Sequence, residues 1–261
     1  MKEKVFFITN RFGERLESMM RSPDGAGPFP IVLFVSGFGM DLHEYLNKND
    51  TISRLLVERG IATVQFSFAG RGRSEGDYRQ MTISRQAAQV EDVLAWMRDQ
   101  PLFDRTRNGV YAISFGVPST LAADLISVKT LCLNAGAYYP GKGIRQVFIE
   151  ERNVKVEDGK DVALPGSSGE MTVVGSQFFP DIDAFDPEKH VDEIRQPVLV
   201  IHGTLDTKVK TEDVKHIFPL IPSRKKQLKI FEGGDHGISD VPRPIREEFL
   251  QLVVEWYQET L

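Results

Sequence analysis

Short apolar runs alternate along the chain with longer segments whose apolar residues recur at helical spacing. Residues 31–35 are apolar at every position, and 110–113 form a second run of this kind. A strand that is apolar throughout is covered on both faces, as in the middle of a parallel sheet. Because such strands alternate with helices, the pattern predicts an α/β protein with a mainly parallel, doubly wound sheet of about eight strands.

Turn residues and periodicity place the individual elements. Two strands, 5–9 and 16–20, flank a glycine-containing turn and predict an opening hairpin. Residues 82–100 carry one apolar stripe at helical spacing and predict a long helix. The other predicted strands are 31–35, 61–66, 110–113, 129–133, 197–203 and 227–231, and the other predicted helices are 46–59, 117–125, 211–218 and 244–260.

Residues 137–196 interrupt this alternation and are predicted to form a cap or lid between two parts of the core domain, 1–136 and 197–261. Alternating residues around Asp158-Gly159 predict a hairpin over 153–164. Residues 171–179 are a candidate third strand. The aromatic residues of the insertion would either line an apolar acyl pocket or form the core of the cap. They are Tyr138, Tyr139, Phe148, Phe178, Phe179 and Phe185.

The composition narrows the classes of function. Hydrophobic residues make up 41% and charged residues 26% of the 261 positions, which is ordinary for a soluble globular protein. A net charge of −5 with scattered basic residues argues against nucleic acid as a partner. The single cysteine, Cys132, excludes an intramolecular disulfide and a metal site built from thiolates, and we interpret it as a small buried hydrophobe.

The sequence gives no sign of a membrane or secretory segment. The first apolar run, 5–9, is too short for a secretory signal, and no stretch approaches the ~20 apolar residues of a membrane span. A cytoplasmic protein without a membrane span is therefore expected. A homodimer stays open at this point.

The run 110–113 ends at Ser114, with Ala112 two positions before the serine and Gly116 two positions after it. This spacing is typical of a nucleophile elbow, a sharp strand-to-helix turn that admits only small residues at the flanking positions. Glycine usually stands where Ala112 does, and a methyl group still fits there. Ser114 is therefore the candidate nucleophile, and the alternative is an ordinary strand-to-helix turn.

A serine nucleophile needs a histidine base and a carboxylate that orients the histidine. His236 lies in a glycine-rich turn just past the strand 227–231, at the edge where open α/β sheets bind ligands. Asp206 follows the strand 197–203, and the order Ser114, Asp206, His236 is expected of this fold. Asp235 is a weaker candidate for the acid, because neighbouring side chains on an extended loop point apart. We interpret His202 as a hydrogen-bonded core residue and His43, His190 and His216 as surface residues.

Attack of Ser114 on a carbonyl creates an oxyanion that needs two backbone N–H donors, each worth on the order of 3 kcal/mol of the barrier. One predicted donor is Phe115, directly after the nucleophile. The other is Phe38 in the loop 36–39, whose glycines let the backbone approach a substrate closely. The alternative role of these glycines is to make a turn.

Five motifs in one order make the chain resemble the α/β-hydrolase superfamily over nearly its whole length. The resemblance implies the α/β-hydrolase fold and a Ser-His-Asp triad. The β-rich insertion and residues 76–82 resemble the cinnamoyl/feruloyl esterase-like branch, close to serine aminopeptidase-type hydrolases. Many relatives carry histidine where Ser36 stands, but neither this departure nor Ala112 removes a backbone donor. The motifs are Ser36-Gly37-Phe38-Gly39, Gly70-Arg71-Gly72-Arg73-Ser74, Ala112-Ile113-Ser114-Phe115-Gly116, Gly203-Thr204-Leu205-Asp206 and Gly234-Asp235-His236.

These residues predict a serine hydrolase that cleaves small-molecule carboxylic esters through an acyl-enzyme, without a metal or an organic cofactor. Esters with aromatic or medium-sized acyl groups are one candidate class of substrate. The glycine-rich loop 67–76 fits neither common phosphate-binding pattern, which argues against a nucleotide. Thioesterase, acyltransferase and peptidase activities stay open, because they use the same triad. A ligand-binding protein with this fold is the non-enzymatic alternative.

Overall fold

Strands and helices alternate along the part of the chain that the computed structural model describes, residues 1–166 and 171–261. The strands in these ranges are β1 Lys2–Thr9, β2 Arg15–Ser22, β3 Phe29–Val35, β4 Ala62–Phe66, β5 Phe103–Ile113, β6 Thr130–Asn134, β7 Val162–Pro165, β8 Met171–Val174, β9 Val198–Gly203 and β10 Lys226–Phe231. The α-helices are α1 Lys48–Glu58, α2 Ile83–Asp99, α3 Gly116–Leu121, α4 Pro140–Ile144, α5 Phe178–Ala184, α6 Pro187–Val191, α7 Thr211–Leu220 and α8 Arg243–Thr260.

One large sheet organises these elements. Within the described residues it has eight strands in the order β1-β2-β4-β3-β5-β6-β9-β10. In this sheet β2 runs opposite to the other seven strands, so its pairs with β1 and β4 are antiparallel and the other pairs are parallel. The prediction of a mainly parallel, doubly wound sheet of about eight strands is therefore confirmed. The opening hairpin is also confirmed, with Ile8 of β1 opposite Leu16 of β2.

Each central strand sends alternate side chains into two hydrophobic cores, one on each face of the sheet. In β3, Ile31, Leu33 and Val35 face the core that also contains residues of α2, α3 and α7. Val32 and Phe34 face the core that contains residues of α1 and α8. Because helices cover both faces, polar chemistry is left to the loops at the ends of the strands.

The segment predicted as a cap is joined to the core domain by shared hydrophobic contacts. It contains α4, which continues as a π-helix over Arg145–Glu151, then the hairpin β7–β8, α5 and α6. Tyr138 and Val191 are buried in the main core, whereas Phe148 and Phe178 pack in a third cluster. The boundaries 137–196 stay a prediction, and residues 167–170 lie outside the described part.

The hairpin predicted over 153–164 is wrong. Residues 153–157 form no strand, and Val162–Pro165 pairs instead with Met171–Val174. The alternation that suggested the hairpin has another cause. Val154 and Val156 are half-buried against the third hydrophobic cluster without a partner strand. The predicted strand 171–179 is also too long, because the chain after β8 turns into α5.

Two predicted helices have different ends in the structure. The helix predicted over 46–59 begins at Lys48, because Leu46 and Asn47 have left-handed backbones with φ of 55° and 54°. The helix predicted over 117–125 ends at Leu121. The Asp124 carboxylate accepts the backbone N–H of Ile126 at 2.9 Å, an interaction that favours a turn over a helix.

In residues 1–166 and 171–261, no helix combines the length and the apolar character needed to cross a membrane.

Candidate active site

The turn between β5 and α3 presents Ser114 at the carboxyl edge of the sheet. Ser114 has a left-handed backbone, with φ of 53°, and its N–H donates to the carbonyl of Asn134 at 3.0 Å. A Cβ atom on Gly116 would lie 2.5 Å from the Val35 carbonyl oxygen, so glycine is required there. Non-glycine residues rarely adopt a positive φ such as that of Ser114, and backbone strain of this kind clusters at functional sites. The crowded turn matches the expected nucleophile elbow.

The structure brings the three side chains named in the sequence into one hydrogen-bonded chain. The Ser114 Oγ atom lies 2.9 Å from His236 Nε2, and His236 Nδ1 lies 2.8 Å from Asp206 Oδ2. The strands β5, β9 and β10 end just before these residues. Both distances lie in the range of good hydrogen bonds.

The carboxylate of Asp206 is held ionised although its side chain is fully buried. Its Oδ1 atom accepts the backbone N–H groups of Lys208 and Val209 at 2.8 and 3.0 Å. Burial raises the pKa of Asp206, but the hydrogen bond from His236 and these two backbone donors outweigh it and lower the pKa. An ionised carboxylate can therefore hold the imidazole by its Nδ1–H.

His202 lies closer to the site than its place in a strand suggested. The ring is fully buried, with Nδ1 3.9 Å from Asp206 Oδ2, and neither ring nitrogen has a hydrogen-bond partner within the described ranges. The interpretation of His202 as a buried core residue is right, and the backbone of Val209 is a polar group that interacts with its ring. Burial lowers the pKa of His202, so the ring is neutral at pH 7.

The remaining candidates have other partners. Asp235 accepts the backbone N–H groups of Ser239 and Asp240 at 2.6 and 2.9 Å, so it stabilises the turn after His236. His43 bonds to Asp50 at 2.6 Å and His216 to Glu188 at 3.1 Å. Cys132 is buried in β6, and burial raises the pKa of its thiol far above the ordinary value.

The two predicted oxyanion donors lie in a tightly held backbone. In the loop 36–39, the N–H of Gly37 donates to Glu44 Oε2 at 2.7 Å and the N–H of Gly39 to the Tyr78 hydroxyl at 3.0 Å. The N–H groups of Phe38 and Phe115 have no partner among residues 1–166 and 171–261. They are therefore available to bind an oxygen atom.

A buried lysine lies beneath the turn that carries His236. Lys48, the first residue of α1, is 6% exposed, and its Nζ donates to the Gly237 carbonyl and the Ser239 hydroxyl. Asn134 Nδ2 donates to the same carbonyl at 3.0 Å. Burial lowers the pKa of Lys48 to about 8, against the opposing effect of nearby carboxylates, Glu44 foremost.

Aromatic side chains surround Phe38, one of the two predicted oxyanion donors. The Phe38 ring lies 5.7 Å from Phe115, 5.9 Å from Phe148 and 5.6 Å from Phe178, measured between ring centroids. Of the six cap aromatics, Tyr139 and Phe185 are half-buried and the other four are buried. The others form packed core rather than the walls of an open pocket.

Sequence reasoning missed Glu44, Tyr78, Lys48 and Asn134, whose side chains hold the backbone of the site. None of them belongs to a spacing pattern that marks such a role. Three of the four lie in helical turns or loops where a polar residue is ordinary. In the described ranges, no group of three or more His, Cys, Asp or Glu residues is placed to hold a metal ion.

Comparison with known proteins gives one family match and several relatives of similar length. The model of the X-Pro dipeptidyl-peptidase (S15) family matches residues 13–132. An uncharacterised 31.7 kDa protein of Escherichia coli, from the traX-finO intergenic region, is 21% identical over 97% of this chain and 98% of its own length. A polyketide transferase of Penicillium sp, grgF, is 21% identical over 79% of this chain and 81% of its own length.

Two solved structures share the architecture along nearly their whole length. Est1E from Butyrivibrio proteoclasticus, solved with ferulic acid, has a TM-score of 0.78 at 19% identity, covering 98% of both chains. The α/β hydrolase GrgF from Penicillium sp. sh18 has a TM-score of 0.78 at 18% identity, covering 100% of this chain and 99% of its own. At such identities the likeness concerns the fold.

The elbow geometry predicts that Gly116→Ala lowers the free energy of unfolding by about 1–3 kcal/mol, because the added methyl group would overlap fixed backbone. Ala112→Gly is the matched control, and it should cost only about 0.5–1 kcal/mol, as glycine does in a strand. Denaturant unfolding of both variants measures the effect. Equal losses in the two variants would contradict the overlap at position 116.

The buried ammonium predicts a pH-dependent difference in stability between the wild type and Lys48→Met. The folded-state pKa of Lys48, about 8, lies below the unfolded value of 10.5, so between these pH values the unfolded chain binds more protons. The wild type should therefore gain up to about 3 kcal/mol relative to the variant as the pH rises through this window. Denaturant unfolding at several pH values measures it, and a constant difference would refute it.

Proposed function

Because the chain has the α/β-hydrolase fold, we propose that it is a serine hydrolase that cleaves carboxylic esters through an acyl-enzyme intermediate. One observation supports this proposal above the others: the Ser114 hydroxyl, the His236 imidazole and the Asp206 carboxylate are joined by hydrogen bonds of 2.9 and 2.8 Å. This arrangement makes a serine nucleophilic at neutral pH.

In the first half of the proposed reaction, Ser114 Oγ attacks the ester carbonyl while its proton passes to His236 Nε2. Asp206 stays ionised and stabilises the imidazolium through the Nδ1–H. The N–H groups of Phe38 and Phe115 stabilise the negative oxygen of the tetrahedral intermediate. When the intermediate collapses, His236 Nε2–H gives its proton to the leaving alcohol, and the acyl group stays on Ser114.

In the second half, water takes the place of the alcohol. His236 removes a proton from the water, which attacks the acyl-enzyme carbonyl at the same oxyanion donors. The intermediate then releases the carboxylic acid, and Ser114 regains its proton. The same residues form the acyl-enzyme and hydrolyse it, so no further catalytic group is required.

For the acyl group, we propose an aromatic or medium-sized chain. Support comes from the half-buried ring of Phe38 beside the oxyanion donors and from the solved structure of Est1E with ferulic acid, a protein with the same fold. The packed state of Phe148 and Phe178 limits the space on the cap side. Long, rigid acyl groups are therefore the poorer substrates in this proposal.

Acyl transfer is the second candidate. It uses the same acyl-enzyme but delivers the acyl group to an alcohol or amine instead of water. The observation that favours it is the similarity to a protein named a polyketide transferase over 79% of this chain. The two activities are distinguished by the product: in a transfer reaction, an added alcohol or amine competes with water for the acyl group.

A fluorophosphonate probe tests for an activated serine. We expect covalent labelling of the wild type, because His236 increases the nucleophilicity of Ser114, and no labelling of Ser114→Ala. Ser84→Ala changes an exposed serine at the start of α2 and is the matched control that should still be labelled. An unlabelled wild type would support the ligand-binding alternative instead.

A series of p-nitrophenyl esters, with methyl ferulate and an acyl thioester, tests the reaction class. We expect ester cleavage to exceed thioester cleavage, and Asp206→Asn to lower kcat by about four orders of magnitude through the wrong imidazole tautomer. Liquid chromatography of the products, with and without an added alcohol, separates hydrolysis from transfer. If the acyl group appears mainly on the alcohol at low alcohol concentration, the hydrolase assignment is wrong.

A further inference from the structure

The segment that enters α1 contacts both catalytic loops. Glu44 accepts the N–H of Gly37, directly before the oxyanion donor Phe38, at 2.7 Å. Four residues later, Lys48 donates to the carbonyl of Gly237, directly after His236. No motif of the sequence links these two loops, which lie near opposite ends of the chain. A single short segment therefore lies against both.

The backbone of this segment is strained. Glu44, Leu46 and Asn47 have φ values of 62°, 55° and 54°, in the left-handed region that non-glycine residues rarely occupy. Strained backbone persists only where surrounding contacts determine it. Here Asn49 supplies such contacts, because its side chain donates to the Ser36 hydroxyl at 3.0 Å and to the Leu42 carbonyl at 3.1 Å.

Resting on the proposed function, we propose that Glu44 and Lys48 are positioning residues that together set the place of the oxyanion donor Phe38 relative to the base His236. Glu44 fixes the oxyanion loop, and Lys48 fixes the loop of the base. Both belong to the segment 44–48, so the distance between the two loops is set by that segment. Neither residue touches the reacting atoms.

Glu44 holds the peptide plane that directly precedes the one carrying the Phe38 N–H. The Gly37 N–H belongs to the Ser36–Gly37 peptide and donates to Glu44. The Gly37 carbonyl belongs to the next peptide, Gly37–Phe38, and accepts the N–H of Met40 at 3.3 Å. Because a trans peptide is planar, a carbonyl fixed on one side turns the following N–H to the other. The Phe38 N–H is thus aimed without any bond of its own. Loss of the Glu44 carboxylate would release the Ser36–Gly37 peptide, so Gly37 could turn and carry the Phe38 N–H with it.

Lys48 acts through a neutral acceptor. Its ammonium bonds to the Gly237 carbonyl and the Ser239 hydroxyl, and burial of the charge is unfavourable. A methionine would fill nearly the same space without that penalty but could not donate to the carbonyl. Asn134 would then hold the Gly237 carbonyl alone. Lys48→Met therefore removes the hydrogen-bond donor while nearly keeping the volume of the side chain.

The first experiment compares Lys48→Met with Lys226→Met. Lys226 also donates to main-chain carbonyls, those of Phe218, Pro219 and Ile221, but it lies at the amino end of β10, away from the site. With p-nitrophenyl acetate, Lys48→Met should lower kcat about tenfold or more with KM nearly unchanged, because misplacement of a catalytic group affects the transition state. Lys226→Met should keep the wild-type kcat. An unchanged kcat in folded Lys48→Met overturns the proposal.

The second experiment tests the other loop. Glu44→Ala should lower kcat and the rate of fluorophosphonate labelling by about tenfold or more, and Glu44→Gln, which keeps one acceptor oxygen, should recover most of the loss. Glu17→Ala is the matched control, because Glu17 is buried and accepts the N–H of Arg73 at 2.7 Å away from the site. If Lys48→Met does not fold, Glu44→Ala decides, and wild-type kinetics in that variant overturn the proposal.

A spectroscopic readout separates this proposal from the proposed function. The His236 Nδ1–H bonded to Asp206 should give a low-field proton resonance in the wild type, whether or not the protein turns over esters. Lys48→Met should broaden or shift this resonance, whereas Lys226→Met should not. A wild type that hydrolyses no ester refutes the hydrolase proposal alone. A resonance unchanged in Lys48→Met refutes the positioning role of Lys48.

Discussion

The hydrogen bond between Ser114 and His236 joins residues 122 positions apart, and it depends on the parallel sheet. Parallel strands end at the same edge, so the turns after β5, β9 and β10 meet although their sequences are distant. Between β5 and β9 lies β6, and its last residue joins the turn after β5 to the turn after β10. Asn134 accepts the N–H of Ser114 through its carbonyl and donates to Gly237 through its side chain.

Burial gives the site its electrostatic character. Asp206 is fully buried, yet hydrogen bonds to its carboxylate lower its pKa, whereas His202 beside it is left neutral by burial. One charged and one neutral group thus lie behind the imidazole. At the turn after His236, the buried ammonium of Lys48 binds the Gly237 carbonyl rather than a carboxylate. These side chains are buried, so each of their contacts is stronger than it would be at the surface.

The sequence predicted the structure well where the spacing of small and apolar residues reflects a constraint on the backbone. The apolar runs and the small residues around Ser114 indicate a buried strand and a crowded turn, and the glycines of the loop 36–39 indicate a close approach of backbone. These features depend on steric rules that act locally, so the sheet and the set Ser114, Asp206 and His236 could be named in advance. The cover of helices on both faces of the sheet follows from the same alternation.

Other features depend on contacts between distant segments and were not predictable. Val154 and Val156 alternate as a strand would, but tertiary packing on the aromatic cluster decides their environment. In the sequence, Lys48 is an ordinary polar residue at the start of a helix. Its contact with the Gly237 carbonyl exists only in the folded chain. The left-handed backbone of Leu46, which moves the start of α1, likewise has no local signal.

The most direct test of the claim that His236 activates Ser114 is peptide mapping by mass spectrometry after reaction with an aryl carbamate. This reagent transfers its carbamoyl group to an activated serine, and the carbamoyl-serine hydrolyses slowly. The hydrogen-bonded chain from Asp206 to Ser114 predicts a carbamoyl group on Ser114 in the wild type and none in His236→Ala. Modification of another residue, or equal modification of Ser114 in the two proteins, would contradict it.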